Sequence, residues 1–373
     1  MRKYLIIGTG GVGGSIAGFL ALGGKDVTCI ARGEHLETIR REGLHLRSGL
    51  KGDRVIPVKA CTADEYREVP DVVFVCVKGY SMDSIRDLLK RVATPRTVVI
   101  PILNVYGTGA RIASLAPKGS CVLDGCIYIV GYVERPGVVV QTGKTFRIVY
   151  GVRPGQTADT ALLDDIADEL RSCGIKVDVS DNIDRDTFIK WTFISAMACT
   201  GACFGVPMGA LQRPGEPRLV FAQLTGESAE TGRRLGIDLP DNLPAANLHI
   251  IDKLDPNTTA SMQKDLARGH ESEIEGLLFQ MLDLGEKMGV YMKTYRQVAD
   301  TLINRLSTDS RKAREARSIV CSLEWIFLKR RGRPQASGKR RIHRCNRQKS
   351  KEQETSQFPA PLIFNLNLNY EKI

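Results

Sequence analysis

The chain has 373 residues, 43% of them hydrophobic and 25% charged, which allows a sizeable core and indicates two domains. Its net charge of +11 belongs to one segment, because residues 329–351 hold eleven Lys and Arg and no acidic residue. The other 42 basic residues equal the 42 acidic residues in number, so the body is neutral and its composition excludes a general attraction to acidic partners.

Ten cysteines lie mostly inside apolar runs such as "VFVCVKG" and "SAMACTGACFG". Without a CxxC pair or a Cys/His cluster, they indicate no metal site and no disulfide framework, but reduced thiols in a cytoplasmic protein. Cys199 and Cys203 lie four residues apart and could share a helix face. They could form a redox pair or pack in the core, and packing is favoured. The apolar run at residues 4–7 is too short for a signal peptide, and no run approaches the ~20 residues of a membrane span.

The first half of the chain alternates between short apolar strands and helical patterns. In chain order these are strand "YLIIG", helix "GGSIAGFLALGG", strand "DVTCIAR", helix "HLETIRREGL", strand "DVVFVCVK", helix "SMDSIRDLLKRV", strand "TVVIPIL", helix "ARIASLA" and strand "CVLDGCIYIV". Short strands separated by helices are typical of a parallel sheet with right-handed crossovers. The pattern predicts an α/β fold with an N-terminal, Rossmann-type doubly wound sheet.

The remaining segments predict the domain organisation. Two added strands "GVVVQTG" and "FRIVYG", a helix "TALLDDIADELRSCG" and a strand "IKVDVS" complete an N-terminal domain over residues 1–181. Long helical patterns, including "ASMQKDLARGHESEIEGLLFQMLDLGEKMG", predict an all-helical C-terminal domain over residues 182–308. Residues 309–373 are basic and without periodicity, and predict a disordered tail. A dispensable extension is favoured over a tail that binds nucleic acid or an acidic partner, because aromatic residues are few and no recognised motif is present.

A glycine-rich loop follows the first strand. Gly8, Gly10 and Gly13 have the spacing G-x-G-x-x-G between a predicted strand and a predicted helix, as a dinucleotide-binding loop requires. The first glycine allows a tight turn, the second lets the backbone approach a pyrophosphate, and the third lets the helix pack on the strand. The predicted cofactor loop consists of Gly8, Thr9, Gly10, Gly11, Val12 and Gly13.

Polar residues at the ends of later strands extend this site. Arg32 follows the second strand, where a guanidinium suits the 2′-phosphate of NADPH, while the nearby Glu34 keeps NADH as an alternative. Lys78 and Asn104 come at the ends of two further strands, at the edge where doubly wound sheets bind ligands. From position alone, Lys78 and Asn104 are as consistent with chance placement as with contact to the cofactor or substrate.

These motifs resemble, in the same order over residues 3–305, those of the ketopantoate reductase (2-dehydropantoate 2-reductase) family. The resemblance rests on "IIGTGGVGG", "ARGEHLETIRREGL", "VCVKGYSMD", "ILN", "ERPGVVVQTG", "FIKWTFISAMACTGACFGVPMGAL" and "SMQKDLARGHESEIEGLL". It implies NADPH-dependent reduction of ketopantoate, a 2-oxo acid, to pantoate in pantothenate and coenzyme A synthesis. It also implies an active site in the cleft between a Rossmann domain and a helical domain, and a homodimer.

The resemblance implies roles for individual residues as well. Lys190 in "FIKWTF" matches the family's general acid and also binds substrate, and Ser261 matches the serine that binds the substrate carboxylate. Glu273 matches a glutamate of the ligand site, assigned here to the cofactor. Asn104 is implied to bind both cofactor and substrate. The family's strand-end lysine, its asparagine and its 2′-phosphate arginine match Lys78, Asn104 and Arg32.

These residue types suit the reduction of a ketone. Hydride transfer leaves negative charge on the ketone oxygen, and the ammonium of Lys190 can stabilise that charge and donate a proton. The apolar stretch "WTFISAMA" after Lys190 predicts a partly desolvated lysine with a lowered pKa. Ser261, Asp265 and Glu273 lie at helical spacing, so we expect them to share one helix face. A structural role for Asp265 is favoured over one in orienting the site.

The chain departs from the family pattern in several places: Leu103-Asn104-Val105 replaces a common Gln-Asn-Gly, no proline follows Val290, and two changes concern substrate recognition. Where many members carry asparagines four and eight residues after the catalytic lysine, this chain has Ile194 and Ala198, and the neighbouring Ser195 points about 100° away on a helix. The changes leave 2-oxo reduction intact but remove groups that recognise a substrate hydroxyl. Three functions therefore stay open: reduction of ketopantoate, reduction of another 2-oxo acid or an imine, and NADPH binding by a non-catalytic regulator.

Overall fold

Six parallel strands form the sheet that the alternating pattern of the first half predicts. The computed structural model describes residues 1–308, in which these strands are β1 (Lys3–Ile7), β2 (Asp26–Ile30), β5 (Lys59–Cys61), β6 (Val72–Val75), β7 (Val98–Pro101) and β8 (Cys121–Val122). Their order is β5-β2-β1-β6-β7-β8, with every neighbouring pair parallel. The chain winds outward from β1 on one side and from β6 on the other, which confirms a doubly wound sheet and puts its switch point between β1 and β6.

Helices pack on both faces of this sheet. They are α1 (Gly11–Leu22), α2 (Gly33–Glu42), α3 (Arg86–Val92), which follows a 3₁₀ segment over Gly79–Ile85, and α4 (Thr108–Leu115). Successive residues of β1 point to opposite faces: Tyr4 and Ile6 join one apolar cluster, and Leu5 and Ile7 join another. Because both faces are covered, the parallel strands are continuous apolar runs rather than alternating ones.

A second, mixed sheet lies outside what the sequence analysis predicts. Its strands are β3 (Leu44–Ser48), β4 (Gly52–Ile56), β9 (Asp124–Arg135), β10 (Val138–Gly151) and β11 (Lys176–Ser180), and α5 (Thr160–Ser172) connects the last two. The central strand β10 pairs antiparallel with β9 along one edge. Along its other edge it pairs in parallel, first with β3 and then with β11.

Three local predictions are wrong in this region. The helix expected to include Leu44 ends at Glu42, because Gly43 adopts φ +87° and Leu44 begins β3. The strand expected over residues 121–130 is two strands, β8 and β9, which belong to different sheets. The two added strands after it are one strand, β10, of 14 residues.

The second half of the described chain is helical, as predicted. Its helices are α6 (Ile183–Phe204), α7 (Glu216–Arg234), α8 (Leu243–Lys253), α9 (Ser261–Ala267), α10 (Gln280–Lys287) and α11 (Lys293–Thr308), with a 3₁₀ turn at Met208–Ala210 and a π-helical turn at Glu275–Phe279. The long helix predicted over residues 260–289 is interrupted, because Gly269 adopts φ +67° after α9. A domain boundary at residue 181 stays a prediction, and the predicted tail, residues 309–373, lies outside the described residues.

Among the described helices, α6 has the length and apolarity to cross a membrane, contrary to the expectation that no segment approaches a span. Of its most apolar window, 78% is buried inside the protein, which is the burial of a core helix. Cys199 and Cys203 on this helix are buried, and neither forms a disulfide within the described residues. No group of three or more His, Cys, Asp or Glu residues in this part of the chain could hold a metal ion.

Candidate active site

The glycine loop connects β1 to α1 at the switch point of the parallel sheet. Gly8 adopts φ +96°, a conformation that L side chains rarely take. A Cβ on Gly13 would lie 2.1 Å from the carbonyl oxygen of Gly8, so this position needs glycine for helix and loop to pack. A Cβ on Gly10, in contrast, would meet no atom within 4 Å. The first and third glycines serve the fold, and the second leaves open space.

That open space adjoins the N-terminus of α1. Gly10 precedes the helix in an extended conformation, and no side chain of the described residues caps it. The N–H groups of the first turn are therefore available to an anion, with the positive end of the helix dipole behind them. An uncapped helix start beside an open glycine fits the pyrophosphate of a dinucleotide.

Arg32 and Glu34 lie at the beginning of α2, just beyond the end of β2. Both side chains are exposed. Within residues 1–308 the guanidinium of Arg32 forms no hydrogen bond or ion pair, so it is available to a ligand. Glu34, on account of which NADH stayed an alternative cofactor, thus lies close to Arg32 in sequence but forms no ion pair with it.

Lys78, after β6, meets two carboxylates from the helical half. Its Nζ lies 3.3 Å from Oε2 of Glu273 and 3.6 Å from Oδ2 of Asp265, and the N–H of Gly79 donates to Oε1 of Glu273 at 3.4 Å. Burial acts to lower the pKa of Lys78, but the two carboxylates together raise it above its ordinary value. Glu273 is itself buried, so it joins the end of β6 to the helical half.

The expectation that Ser261, Asp265 and Glu273 share one helix face is wrong. α9 contains the first two, but ends at Ala267, and Glu273 lies in a turn before the π-helical segment. The turn nevertheless brings Glu273 to the same lysine as Asp265. Ser261 is the first residue of α9 and is exposed, with no described contact to Lys190.

Lys190 is buried on the second turn of α6, with 5% of its surface exposed. Its Nζ donates to Oδ1 of Asn104 at 2.8 Å and lies 5.6 Å from the centre of the Tyr128 ring. Burial lowers the pKa of Lys190, partly opposed by Cys126 and Glu273, in the direction that its apolar neighbours predict. The helical half therefore delivers an ammonium group to the amide at the end of β7.

Lys190 and Asn104 line one cavity at the carboxyl ends of the parallel strands. Its other lining residues come from the loop after β7, the start of α4, the start of β9 and α6, among them Thr108, Asp124, Cys126, Thr187 and Trp191. The sequence analysis missed Asp124, although it directly follows the last parallel strands. Strand-end reasoning could not identify it, because the single strand predicted over residues 121–130 puts Asp124 in its interior, whereas β8 ends at Val122 and Asp124 begins β9.

The π-helical turn explains how α6 is held. Two side chains of α6 bind backbone carbonyl oxygens of this turn: Nε1 of Trp191 donates to Gly276 at 3.0 Å, and the Ser195 hydroxyl donates to Leu277. The Ser195 oxygen also lies 2.7 Å from the hydroxyl of Tyr295. Ser195 is thus occupied by the fold and does not replace a substrate-binding asparagine. Ile194 is half-buried and Ala198 is buried.

Asp124 gives a prediction about stability. Burial raises its pKa to about 6, opposed by the N–H of Gly109, which donates to Oδ1 at 2.7 Å, and by Arg153, and supported by Asp184. A carboxyl with a raised folded-state pKa stabilises the fold below its unfolded pKa of about 3.9, and this stabilisation is lost as pH rises through about 6. We expect Asp124→Asn to match the wild type near pH 4, and to be more stable by about 3 kcal/mol at pH 8.

Urea unfolding across this pH range measures the difference. The exposed Asp164 on α5, changed to Asn, is the matched control and should leave the pH profile as it is. A constant loss of stability at every pH in the Asp124 variant would contradict a raised pKa, and would mean that Gly109 needs an ionised acceptor.

The fold and the cavity together define a class of protein. A glycine loop at the switch point of a doubly wound sheet, together with a buried lysine that the helical half brings to the end of β7, is the arrangement of a nicotinamide-dependent oxidoreductase. Residues 4–155 match the family model described as "Ketopantoate reductase PanE/ApbA", and residues 182–305 match its C-terminal counterpart. The chain belongs to the ketopantoate reductase family, as the resemblance of its motifs predicts.

Curated relatives support this family assignment at low sequence identity. The chain is 27% identical over 290 residues to "Uncharacterized oxidoreductase YkpB" of Bacillus subtilis, which covers 77% of this chain and 93% of the relative. It is 26% identical over 329 residues to "2-dehydropantoate 2-reductase" of Mesorhizobium japonicum, with 82% and 98% covered. Both matches span nearly the whole of the relative.

Solved structures share the fold. A PanE/ApbA family ketopantoate reductase from Ralstonia eutropha superposes with a TM-score of 0.73 at 25% identity, covering 80% of this chain and 97% of its own. D-mandelate dehydrogenase, solved with NADH and anilino(oxo)acetate, has a TM-score of 0.73 at 20% identity with the same coverage. A dimeric ketopantoate reductase from Staphylococcus aureus has a TM-score of 0.68 at 18% identity.

Proposed function

We propose that this protein is an NADPH-dependent reductase of a 2-oxo acid, with ketopantoate as the first candidate substrate and pantoate, for pantothenate and coenzyme A synthesis, as its product. The observation that carries the proposal is the buried ammonium of Lys190, hydrogen-bonded to Asn104 in a cavity at the strand ends. A nicotinamide cofactor supplies the hydride when bound. A homodimer, taken from the resemblance, and a cytoplasmic location, taken from the use of cysteine, remain part of the proposal.

Lys190 acts as proton donor in this proposal. One of its N–H groups is used by Asn104, which leaves the others for the substrate oxygen. Asn104 orients the ammonium, and burial strengthens its attraction to the charge that develops on that oxygen. Ser261 is the proposed ligand of the substrate carboxylate. Glu273 is proposed to contribute to the cofactor site through the lysine and the amide that it contacts, Lys78 and Gly79.

Arg32 is proposed to select NADPH over NADH. We expect Arg32→Ala to raise the Kd for NADPH by about 10- to 100-fold, because a charge-assisted contact to the 2′-phosphate is lost, and to change the Kd for NADH by less than about twofold. Fluorescence titration with both cofactors measures this. Glu34→Ala tests the alternative cofactor, since it removes the acidic charge from the same helix start and should not weaken NADPH binding if Arg32 makes the selection. Tighter binding of NADH than NADPH by the wild type would overturn the selection.

The substrate is tested by a matched pair of 2-oxo acids. Trimethylpyruvate has the carbon skeleton of ketopantoate but lacks its hydroxyl, so the ratio of their kcat/KM values measures recognition of that hydroxyl. NADPH oxidation with ketopantoate at a clearly higher kcat/KM supports the first candidate. Because Ile194 and Ala198 cannot hydrogen-bond through their side chains, a second candidate is reduction of a less polar 2-oxo acid or of an imine. Equal rates for the pair favour this second candidate, and binding of NADPH without turnover of any substrate favours a regulator.

A further inference from the structure

The glycine loop is supported by the hairpin of β9 and β10 in the second sheet. A Cβ on Gly11 would lie 2.3 Å from backbone atoms of Gly131 in β9, so the start of α1 and this strand are in direct backbone contact. A second support runs through His35, in the first turn of α2. Neither the hairpin nor His35 is among the cofactor-binding residues that the sequence predicts.

Both ring nitrogens of His35 bind backbone groups. Nε2 lies 2.8 Å from the carbonyl oxygen of Thr9 in the glycine loop, and the N–H of Gly137, at the tip of the hairpin, donates to Nδ1 at 3.0 Å. Since Nδ1 accepts, the ring proton is on Nε2, which donates to Thr9. Burial lowers the pKa of His35, against the hydrogen bond to Thr9, and so favours this neutral ring.

His35 therefore bridges the glycine loop and the hairpin tip, and the hairpin end of this bridge is fixed. Gly137 adopts φ +77°, and its carbonyl oxygen accepts the N–H of His45 in β3 at 2.9 Å. A Cβ on Gly137 would lie 2.4 Å from the Cγ2 of Thr38, on α2. The tip therefore cannot move without displacing α2 or β3.

The loop end of the bridge determines where an N–H group points. Thr9 donates through its N–H and its hydroxyl to the carbonyl oxygen of Ile30, at 3.2 and 2.9 Å. Its own carbonyl is held by His35. In a planar trans peptide the N–H points opposite to the C=O. Holding the Thr9 carbonyl on His35 therefore turns the Gly10 N–H away from His35, at the exposed position where the loop has open space.

We propose that His35 is a positioning residue of the cofactor site, which fixes the Thr9–Gly10 peptide so that its N–H meets the pyrophosphate of a nicotinamide dinucleotide. This inference rests on the proposed function in one respect, that the chain binds such a dinucleotide. It assigns no chemical step to His35, which acts through the loop.

Three variants separate the two hydrogen bonds. His35→Gln keeps a donor near Nε2, His35→Asn keeps an acceptor near Nδ1, and His35→Ala keeps neither. Because one hydrogen bond is worth about a fivefold change, we expect the Kd for NADPH to rise about fivefold in the Asn and Ala variants, and less than about twofold in the Gln variant. At saturating NADPH we expect kcat within about twofold of the wild type in all three. A purely structural role would lower the melting temperatures and leave the Kd as it is.

A matched glycine pair tests the hairpin end. Gly137→Ala introduces a strained φ and a clash with Thr38, whereas Gly155→Ala introduces the same strain at φ +76° with nothing within 4 Å. We expect only the first to raise the Kd for NADPH, by about fivefold. The inference is overturned if the His35 variants fold and bind NADPH like the wild type, or, should they not fold, if the two glycine variants bind alike. A wild type that binds neither NADPH nor NADH overturns the proposed function as well.

Discussion

Lys190→Ala is expected to lower kcat for 2-oxo acid reduction by about 1000-fold, while the Kd for NADPH changes by less than about twofold. The physical reason is the position of the ammonium, buried on α6 and held by Asn104 at the end of β7. Removing it takes away both the proton that the substrate oxygen receives and the positive charge that stabilises the developing oxyanion. Steady-state NADPH oxidation and fluorescence titration measure the two quantities separately.

Lys190→Arg is the matched control. A guanidinium keeps the charge, but its pKa is too high for efficient proton donation, so we expect activity between that of the wild type and the alanine variant.

In the wild type, kcat should fall on the alkaline side as Lys190 loses its proton, at a pH below the ordinary lysine pKa of about 10.4, because burial lowers its pKa. An alanine variant that keeps more than a tenth of the activity would refute the assignment.

Gly10→Ala and Gly13→Ala should separate binding from folding. At Gly13 the new Cβ would lie 2.1 Å from the carbonyl oxygen of Gly8, so we expect a loss of more than about 3 kcal/mol in the free energy of unfolding. At Gly10 the backbone is extended and the Cβ meets nothing within 4 Å, so the stability should change by less than about 1 kcal/mol. The same Cβ fills the space left for the pyrophosphate and should raise the Kd for NADPH about 100-fold.

Urea unfolding of the cofactor-free protein and NADPH titration distinguish the two variants. Gly155→Ala, on an exposed loop, shows how much a glycine change alone alters either quantity. Full NADPH affinity in a folded Gly10→Ala protein would mean that the dinucleotide lies elsewhere than against this loop.

The parallel sheet was predictable because its signal is local. A buried strand that meets G-x-G-x-x-G, and strands that end in Lys78 and Asn104, can be read without knowing which strands pair. The hydrogen bond between Lys190 and Asn104 joins residues 86 positions apart. The family resemblance implied that both bind substrate, but neither the resemblance nor any spacing in the chain stated that they contact each other.

The second sheet and the π-helical turn were not predictable on the same grounds. β10 takes its neighbours from three separate parts of the chain, and a strand pattern does not state its partners. In the same way, Glu273 left the predicted helix face because one glycine, Gly269, takes a left-handed conformation that helical spacing does not reveal. Tertiary contact, not periodicity, places this carboxylate beside Lys78.

The contact between Gly11 and Gly131 has a consequence for synthesis of the protein. The glycine loop is complete in sequence after the first 14 residues, but the strand against which it packs is made more than a hundred residues later, and the hairpin tip that binds His35 follows it. A nascent chain that has emerged only as far as β7 holds the loop without its support. We therefore expect the cofactor to bind late, after β10 has left the ribosome, so that a dinucleotide does not stabilise shorter intermediates.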